Sequence, residues 1–206
     1  MRVRPPIPGT LRVRRFLAWV TAVLCAAVLV PAVARADNPI VQHIYTADPV
    51  NWWQFGGAGG GNLIANGDGE SGTAGWGVMG AGTLSSNAAV AHGGAASLSV
   101  TGRTASWNGP SQDVTSKLAN GRSYTTTLWV RSQGGTPTVK ATLALTADGT
   151  TSYVSLTPGT AVNPDGWTRL TGTATVSWSG ALSGATFYVE TASGTDGFSV
   201  DDVSLQ

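Results

Sequence analysis

The 206-residue chain has a single cysteine, and only 11% of its residues are charged. One cysteine cannot close an internal disulfide, so the fold must rest on a packed core or a bound metal. Only two histidines are present, His43 and His92, and neither has a partner at metal-ligand spacing. No Ser-His-Asp order, phosphate loop or zinc spacing stands out. Convincing helical periodicity is absent as well. Scarce charge with 28 glycines can signal disorder, but disordered segments also lack aromatics and β-branched residues. Here eight tryptophans stand among many valines and threonines, which fits an all-β domain rich in turns.

The first 36 residues read as a leader. Arg2, Arg4, Arg12, Arg14 and Arg15 form a basic stretch, Phe16 to Val30 is apolar, and Ala34-Arg35-Ala36 supplies a small-x-small cleavage pattern. That is the pattern of a secretory signal peptide. The competing reading is a retained membrane anchor, but the apolar run is shorter than the roughly 20 residues a spanning helix wants. Cleavage would remove Cys25 and six of the twelve basic residues, leaving a secreted chain near −5. No basic patch remains, which argues against nucleic acid as a partner, and no membrane association is expected after cleavage.

Three pieces follow. Residues 37–55 are a short mixed segment ending in Trp52-Trp53, residues 56–61 are a Gly-rich linker, and residues 62–206 are a series of strand-like runs. Val139, Ala141, Leu143 and Leu145 alternate with Lys140, Thr142, Ala144 and Thr146. Ala185, Phe187 and Val189 alternate with Thr186, Tyr188 and Glu190, while Tyr124, Thr126, Leu128 and Val130 share one face. Each is the period of a half-buried strand. Asp148-Gly149 predicts a tight hairpin turn. Further runs cover 95–100, 152–156, 167–178 and 198–205. In the last, Phe198 and Val200 are out of phase with Val203 and Leu205, so a bulge is predicted near Asp201-Asp202. Together these predict an antiparallel β-sandwich of jelly-roll type. With Val154, Leu156, Phe187 and Val189 in the core, Tyr153, Tyr188 and Glu190 face outward. Outward aromatics beside a carboxylate suit a sugar site, where rings stack on pyranose faces and polar groups fix hydroxyls.

Asn62-Leu63-Ile64-Ala65-Asn66-Gly67-Asp68-Gly69-Glu70-Ser71-Gly72 resembles the opening of carbohydrate-binding modules of families 4, 9 and 22. The stretch from Ala95 through Arg103-Thr104-Ala105-Ser106-Trp107-Asn108-Gly109 resembles them too, as does the ending from Phe187 to Val203. The Arg-Thr-x-x-Trp-x-Gly piece leans toward family 22, whose usual ligand is xylan. The resemblance implies that Trp107 stacks on sugar and that Tyr153, Tyr188 and Glu190 line the groove, with Arg103 among the contacts. Read from the residues alone, Trp107 could equally be a core plug. Two departures stand out: the groove arginine expected shortly after Trp76 is missing, and Thr186 replaces a second tyrosine. The resemblance also implies a structural calcium ion held by Glu70 and Asp201, with Asp68 and Asp202 as further candidates; turn acids are the alternative.

Asp37 to Pro49 resembles the mature start of secreted five-bladed propeller arabinofuranosidases and xylosidases, in which Asp48 would match the general base. Hydrolysis needs two carboxylates in defined geometry, and a blade takes about 40–50 residues, more than this segment holds. The expected function is therefore a monomeric, secreted binder of plant cell-wall polysaccharide, xylan first, with mixed-linkage glucan and cellulose chain ends left open. A glycoside hydrolase, or a fragment of one acting on glycosyl bonds, and an adhesive sandwich without a sugar site are the alternatives.

Overall fold

The structure is a computed structural model and describes residues 61–206. The expected leader, the 37–55 segment with Asp48 and His43, and all of the glycine linker but Gly61 lie outside the described residues.

The described residues form eleven strands: β1 Gly77–Met79, β2 Thr83–Asn87, β3 Ser97–Thr101, β4 Gly109–Asp113, β5 Arg122–Ser132, β6 Thr138–Ala147, β7 Thr150–Ser155, β8 Thr160–Ala161, β9 Thr168–Val176, β10 Leu182–Thr191 and β11 Phe198–Leu205. A 3-10 turn at Thr115–Lys117 precedes β5. One sheet runs β1-β4-β10-β6-β7, with β8 added at the start of β6, and the other runs β2-β3-β11-β5-β9. All pairings are antiparallel. This is the jelly-roll β-sandwich predicted from the alternation.

The core lies between the sheets because the inward half of each alternation is apolar. Leu143, Leu145, Phe187 and Val189 come from the first sheet, and Leu98, Leu128, Val130, Phe198 and Val200 from the second; all are fully or almost fully buried. Burying each such side chain contributes about 1.5–3 kcal/mol. Trp76 closes one end, its ring meeting Phe187 edge-on at 6.2 Å and 71°. Asn62 ties the start of the domain to its end: its Nδ2 donates to Val203 O, and its Oδ1 accepts from Leu205 N.

Two local irregularities follow the sequence closely. Asp148 and Gly149 join β6 to β7 with φ of 46° and 76°, the doubly left-handed geometry of a type I′ hairpin turn. On β11 the register shifts between Asp201 and Ser204, and Asp202 sits at φ 47°. That bulge lets Phe198, Val200, Val203 and Leu205 all reach the core. The alternation did not anticipate β1, β2, β4 or β8. β4 reads Gly-Pro-Ser-Gln-Asp, a turn-like composition, and its strand conformation is imposed by pairing with β1 and β10.

Candidate functional site

The outer face of the first sheet carries a cleft of roughly 620 Å³, within the range usual for ligand sites. The strand register explains its floor. Tyr188 on β10 pairs with Ser111 on β4 and Thr142 on β6, and Thr142 pairs in turn with Ser155 on β7. One step along, Glu190 pairs with Lys140. Since alternate residues point to the same face, the apolar alternation that fills the core also puts Tyr188, Glu190, Lys140 and Thr142 side by side outside. Tyr153, opposite Ala144, stands at the β7 side, while Met79 and Trp107 close the β1–β4 side. From β4 to β7 the cleft spans roughly 14 Å at ordinary strand spacing, room for a short run of pyranose units.

Trp107 and Tyr153 are the exposed large apolar side chains of the described residues, at 48% and 64%. The core-plug alternative for Trp107 is thereby removed. Tyr188 behaves differently: it lines the cleft yet is almost wholly buried. Burial first, then the neighbouring Glu190 charge, pushes its phenol up to about 12. Glu190 is 8% exposed and does not stand alone. Thr142 Oγ1 donates to Glu190 Oε1 at 2.6 Å, and Lys140 Nζ lies 3.3 Å from the same oxygen. A carboxylate so placed is held in one orientation and remains an acceptor through Oε2.

Arg103 requires a correction. It was expected among the sugar contacts, but it is 5% exposed and lies beneath the loop, not in the cleft. Its Nε donates to Asn108 O at 2.7 Å, Nη1 to Asp196 O at 2.6 Å, and Nη2 to Ser106 O and Thr191 Oγ1. The guanidinium also sits over the Phe198 ring at 4.8 Å. A planar fork of donors suits a run of loop carbonyls, so Arg103 shapes the loop that presents Trp107. Asn108 helps from the other side, its Oδ1 accepting from Thr104 N and Ala105 N. Gly80, at φ +72°, packs so closely on Trp107 and Asn108 that a Cβ there would overlap the indole.

Met79, Lys140, Thr142 and Ser155 were not singled out from the sequence. Lys140 and Thr142 share the outward phase of β6 and become visible once β6 is known to pair with β10. Met79 belongs to a three-residue strand too short for any periodicity. Thr186 also faces outward but does not reach the cleft lining.

The four acids proposed for a metal do not converge as a set. Among the described residues no group of three or more His, Cys, Asp or Glu side chains gathers as a metal site. Glu70 and Asp201 nevertheless grip one loop from two sides. Glu70 Oε1 accepts from Ala95 N and Ala96 N at 2.8 and 3.0 Å. Asp201 Oδ2 accepts from His92 N and Gly93 N, and Oδ1 from Asp202 N. Burial pushes the Asp201 carboxyl up, against those amide bonds. The two carboxylates thus hold one stretch of backbone, and Asp201 is almost fully buried. Asp68 Oδ1 caps the Glu70 amide. Asp202 is engaged by His92 Nδ1 at 2.6 Å.

The endo-1,4-β-xylanase A of Thermoanaerobacterium saccharolyticum is 39% identical over 148 residues, covering 70% of this chain and 13% of that enzyme. The exoglucanase XynX of Acetivibrio thermocellus is 35% identical over 147 residues, 69% of this chain and 13% of that protein. The chain thus spans about an eighth of the length of these relatives. Among solved structures, the CBM22-1 xylan-binding domain of Paenibacillus barcinonensis Xyn10C superposes with a TM-score of 0.60 at 24% identity, covering 65% of this chain and 86% of that domain. A xylan-binding domain of CBM family 22 gives 0.63 at 22%, with 71% and 96% covered. Both show the same sandwich. Residues 61–196 match the family model CBM_4_9, described as a carbohydrate binding domain, and the chain belongs to that family.

Proposed function

We propose that the domain binds xylan in the cleft, with Trp107 and Tyr153 as stacking platforms and Tyr188, Glu190, Lys140 and Thr142 as hydroxyl partners. The observation that carries this reading is the pairing of two exposed aromatic rings at opposite sides of a cleft with a polar, hydrogen-bonded floor. The relative named as an endo-1,4-β-xylanase and the xylan-binding domains of like fold support xylan, and the relative named as an exoglucanase makes glucan the competitor to test. Glu190 is the single carboxylate of the cleft lining, whereas glycoside hydrolysis uses a pair, which supports binding without turnover. The test is native affinity electrophoresis in gels carrying xylan, mixed-linkage glucan or hydroxyethylcellulose. Xylan should retard the protein most, and Trp107→Ala should lose most of the retardation, since a platform of this size contributes about 1–3 kcal/mol. Equal retardation by all three glycans, or none, removes the xylan reading.

The same reading includes a secreted, monomeric chain and a structural calcium ion held by Glu70 and Asp201. Calcium would supply positive charge beside a buried carboxylate and brace the loop from His92 to Ala96, away from the cleft. A ligand that binds only the folded state stabilises it by mass action. Chelator should therefore lower the melting temperature while leaving xylan retardation unchanged, and Glu70→Ala should abolish the calcium response. A melting temperature indifferent to chelator refutes the ion.

A further inference from the structure

The second sheet carries a smaller pocket on its outer face, on the opposite side of the sandwich from the cleft. Its volume is about 240 Å³, and Asn87, Val90, Arg131, Gln133, Pro164 and Ser199 form most of its wall. The pocket exists because β3 and β11 place serines where larger outward side chains would fill the space. Ser99 and Ser199 face each other across the register and are 4% and 2% exposed.

Hydrogen-bond accounting gives the pocket a direction. Ser99 Oγ accepts from Asn87 Nδ2 and from Gln133 Nε2, both at 3.2 Å. A hydroxyl has two acceptor positions and one proton, so with both positions filled Ser99 must donate to Ser199 Oγ, 2.7 Å away. The Ser199 proton is then left without a partner among the described residues, at a nearly inaccessible position that favours pairing. Arg131 adds to it. Its Nε donates to Pro164 O at 2.9 Å, bracing the guanidinium, while its two Nη groups take no partner among the described residues. Arg131 is the single charged residue of the lining. The pocket therefore presents a fixed fork of donors and a buried hydroxyl donor, with Gln133 Oε1 as acceptor and Val90 and Pro164 as apolar walls.

We propose that this pocket binds a single uronic-acid unit, its carboxylate on the Arg131 fork and Ser199 hydroxyl and a ring hydroxyl on Gln133. End-on guanidinium forks match carboxylates bidentately, and a volume of about 240 Å³, below the usual range for drug-sized ligands, limits the occupant to about one ring. The site is independent of the cleft and of what the cleft binds.

The experiment is an NMR titration of the isotope-labelled protein with sodium glucuronate, reading the Arg131 Nε and the Asn87 and Gln133 side-chain amide signals. Glucuronate should shift them saturably, glucose should not, and sodium acetate should act only weakly. Arg131→Met should weaken glucuronate by about tenfold or more, as expected for losing a hydrogen bond to a charged group. Ser199→Ala, the gentler change, should weaken it with the fold intact, and Trp107→Ala should leave it unchanged. No saturable shift overturns the proposal. So does an equal response to acetate, which would mean a nonspecific anion site, or an equal response to glucose, which would mean the carboxylate is not read. A xylan bearing glucuronosyl branches, compared with the free acid in the Trp107→Ala background, tells whether polymer-borne units are also taken.

Discussion

The two outer faces of the sandwich are built by the same alternation and end as different surfaces. On the first sheet the outward positions hold Tyr188, Glu190, Lys140, Thr142 and Tyr153, and they remain open as a cleft. On the second, hydroxyls pair with one another: Ser123 with Thr175, Thr125 with Thr173, Thr127 with Ser204. Aromatic residues alone do not separate the two faces. Trp129 also points outward on β5, but the loop before β3 covers it, with the His92 ring stacked on the indole at 3.8 Å and 17°. Trp167 pins the same loop by donating from Nε1 to Ala91 O. An outward tryptophan becomes a platform only where its neighbouring loop leaves it bare. On the cleft side the loop itself carries the ring: Arg103 fixes the loop from below, and Trp107 projects from it.

The largest effect should come from neither face but from the layer between them. Phe187 is fully buried and adjacent in sequence to the cleft residue Tyr188. Phe187→Ala should cost about 3–5 kcal/mol of stability, measured by denaturant unfolding. A loss near zero would mean that the sheets are not held by this core.

The comparison of the tryptophans sharpens the contrast between the faces. Trp107→Ala should remove xylan retardation while changing stability by only about 0.5 kcal/mol, as for an exposed side chain. Trp129→Ala should do the reverse, leaving retardation intact and lowering stability by about 0.5–1.5 kcal/mol through the lost His92 stack. If Trp129→Ala also weakened binding of unbranched xylan, the second face would have to contact the xylan backbone, and the assignment of the backbone to the cleft alone would fail.

Much of this contrast was legible in the chain, and the limit has a physical reason. Long strands with apolar alternation, such as β6 and β10, announce both their inward and their outward residues, so Tyr153, Tyr188 and Glu190 could be placed before the fold was known. The bulge at Asp201-Asp202 was readable because a one-residue insertion inverts the phase. Alternation does not report which strands pair, and so it passed over Lys140 and Thr142 although both were in the correct phase. Loops carry no periodicity at all. Arg103 and Trp107 are four residues apart in one motif, yet one is a buried brace and the other an exposed ring. Only the carbonyls of Ser106, Asn108 and Asp196 converging on the guanidinium separate them.

The smallest effect tests the cleft floor through its protons. Tyr188 is raised from 10.0 to about 12, first by burial and then by the charge of Glu190. A raised acid holds its proton longer when folded than when unfolded. Stability should thus be level below the ordinary phenol value and decline as pH climbs from 10.0 through about 12, because the unfolded chain has then released a proton that the folded one retains. Xylan binding should follow the folded-state value: retardation should persist above pH 10.0, with Tyr188 still a donor, and fall only toward about 12. Phenolate absorbance supplies the direct check, since Tyr188→Phe should remove a late-titrating component from the wild-type trace. If the late component survived Tyr188→Phe, the raised proton would not belong to the cleft floor, and the place of Tyr188 as its buried donor would have to be reassigned.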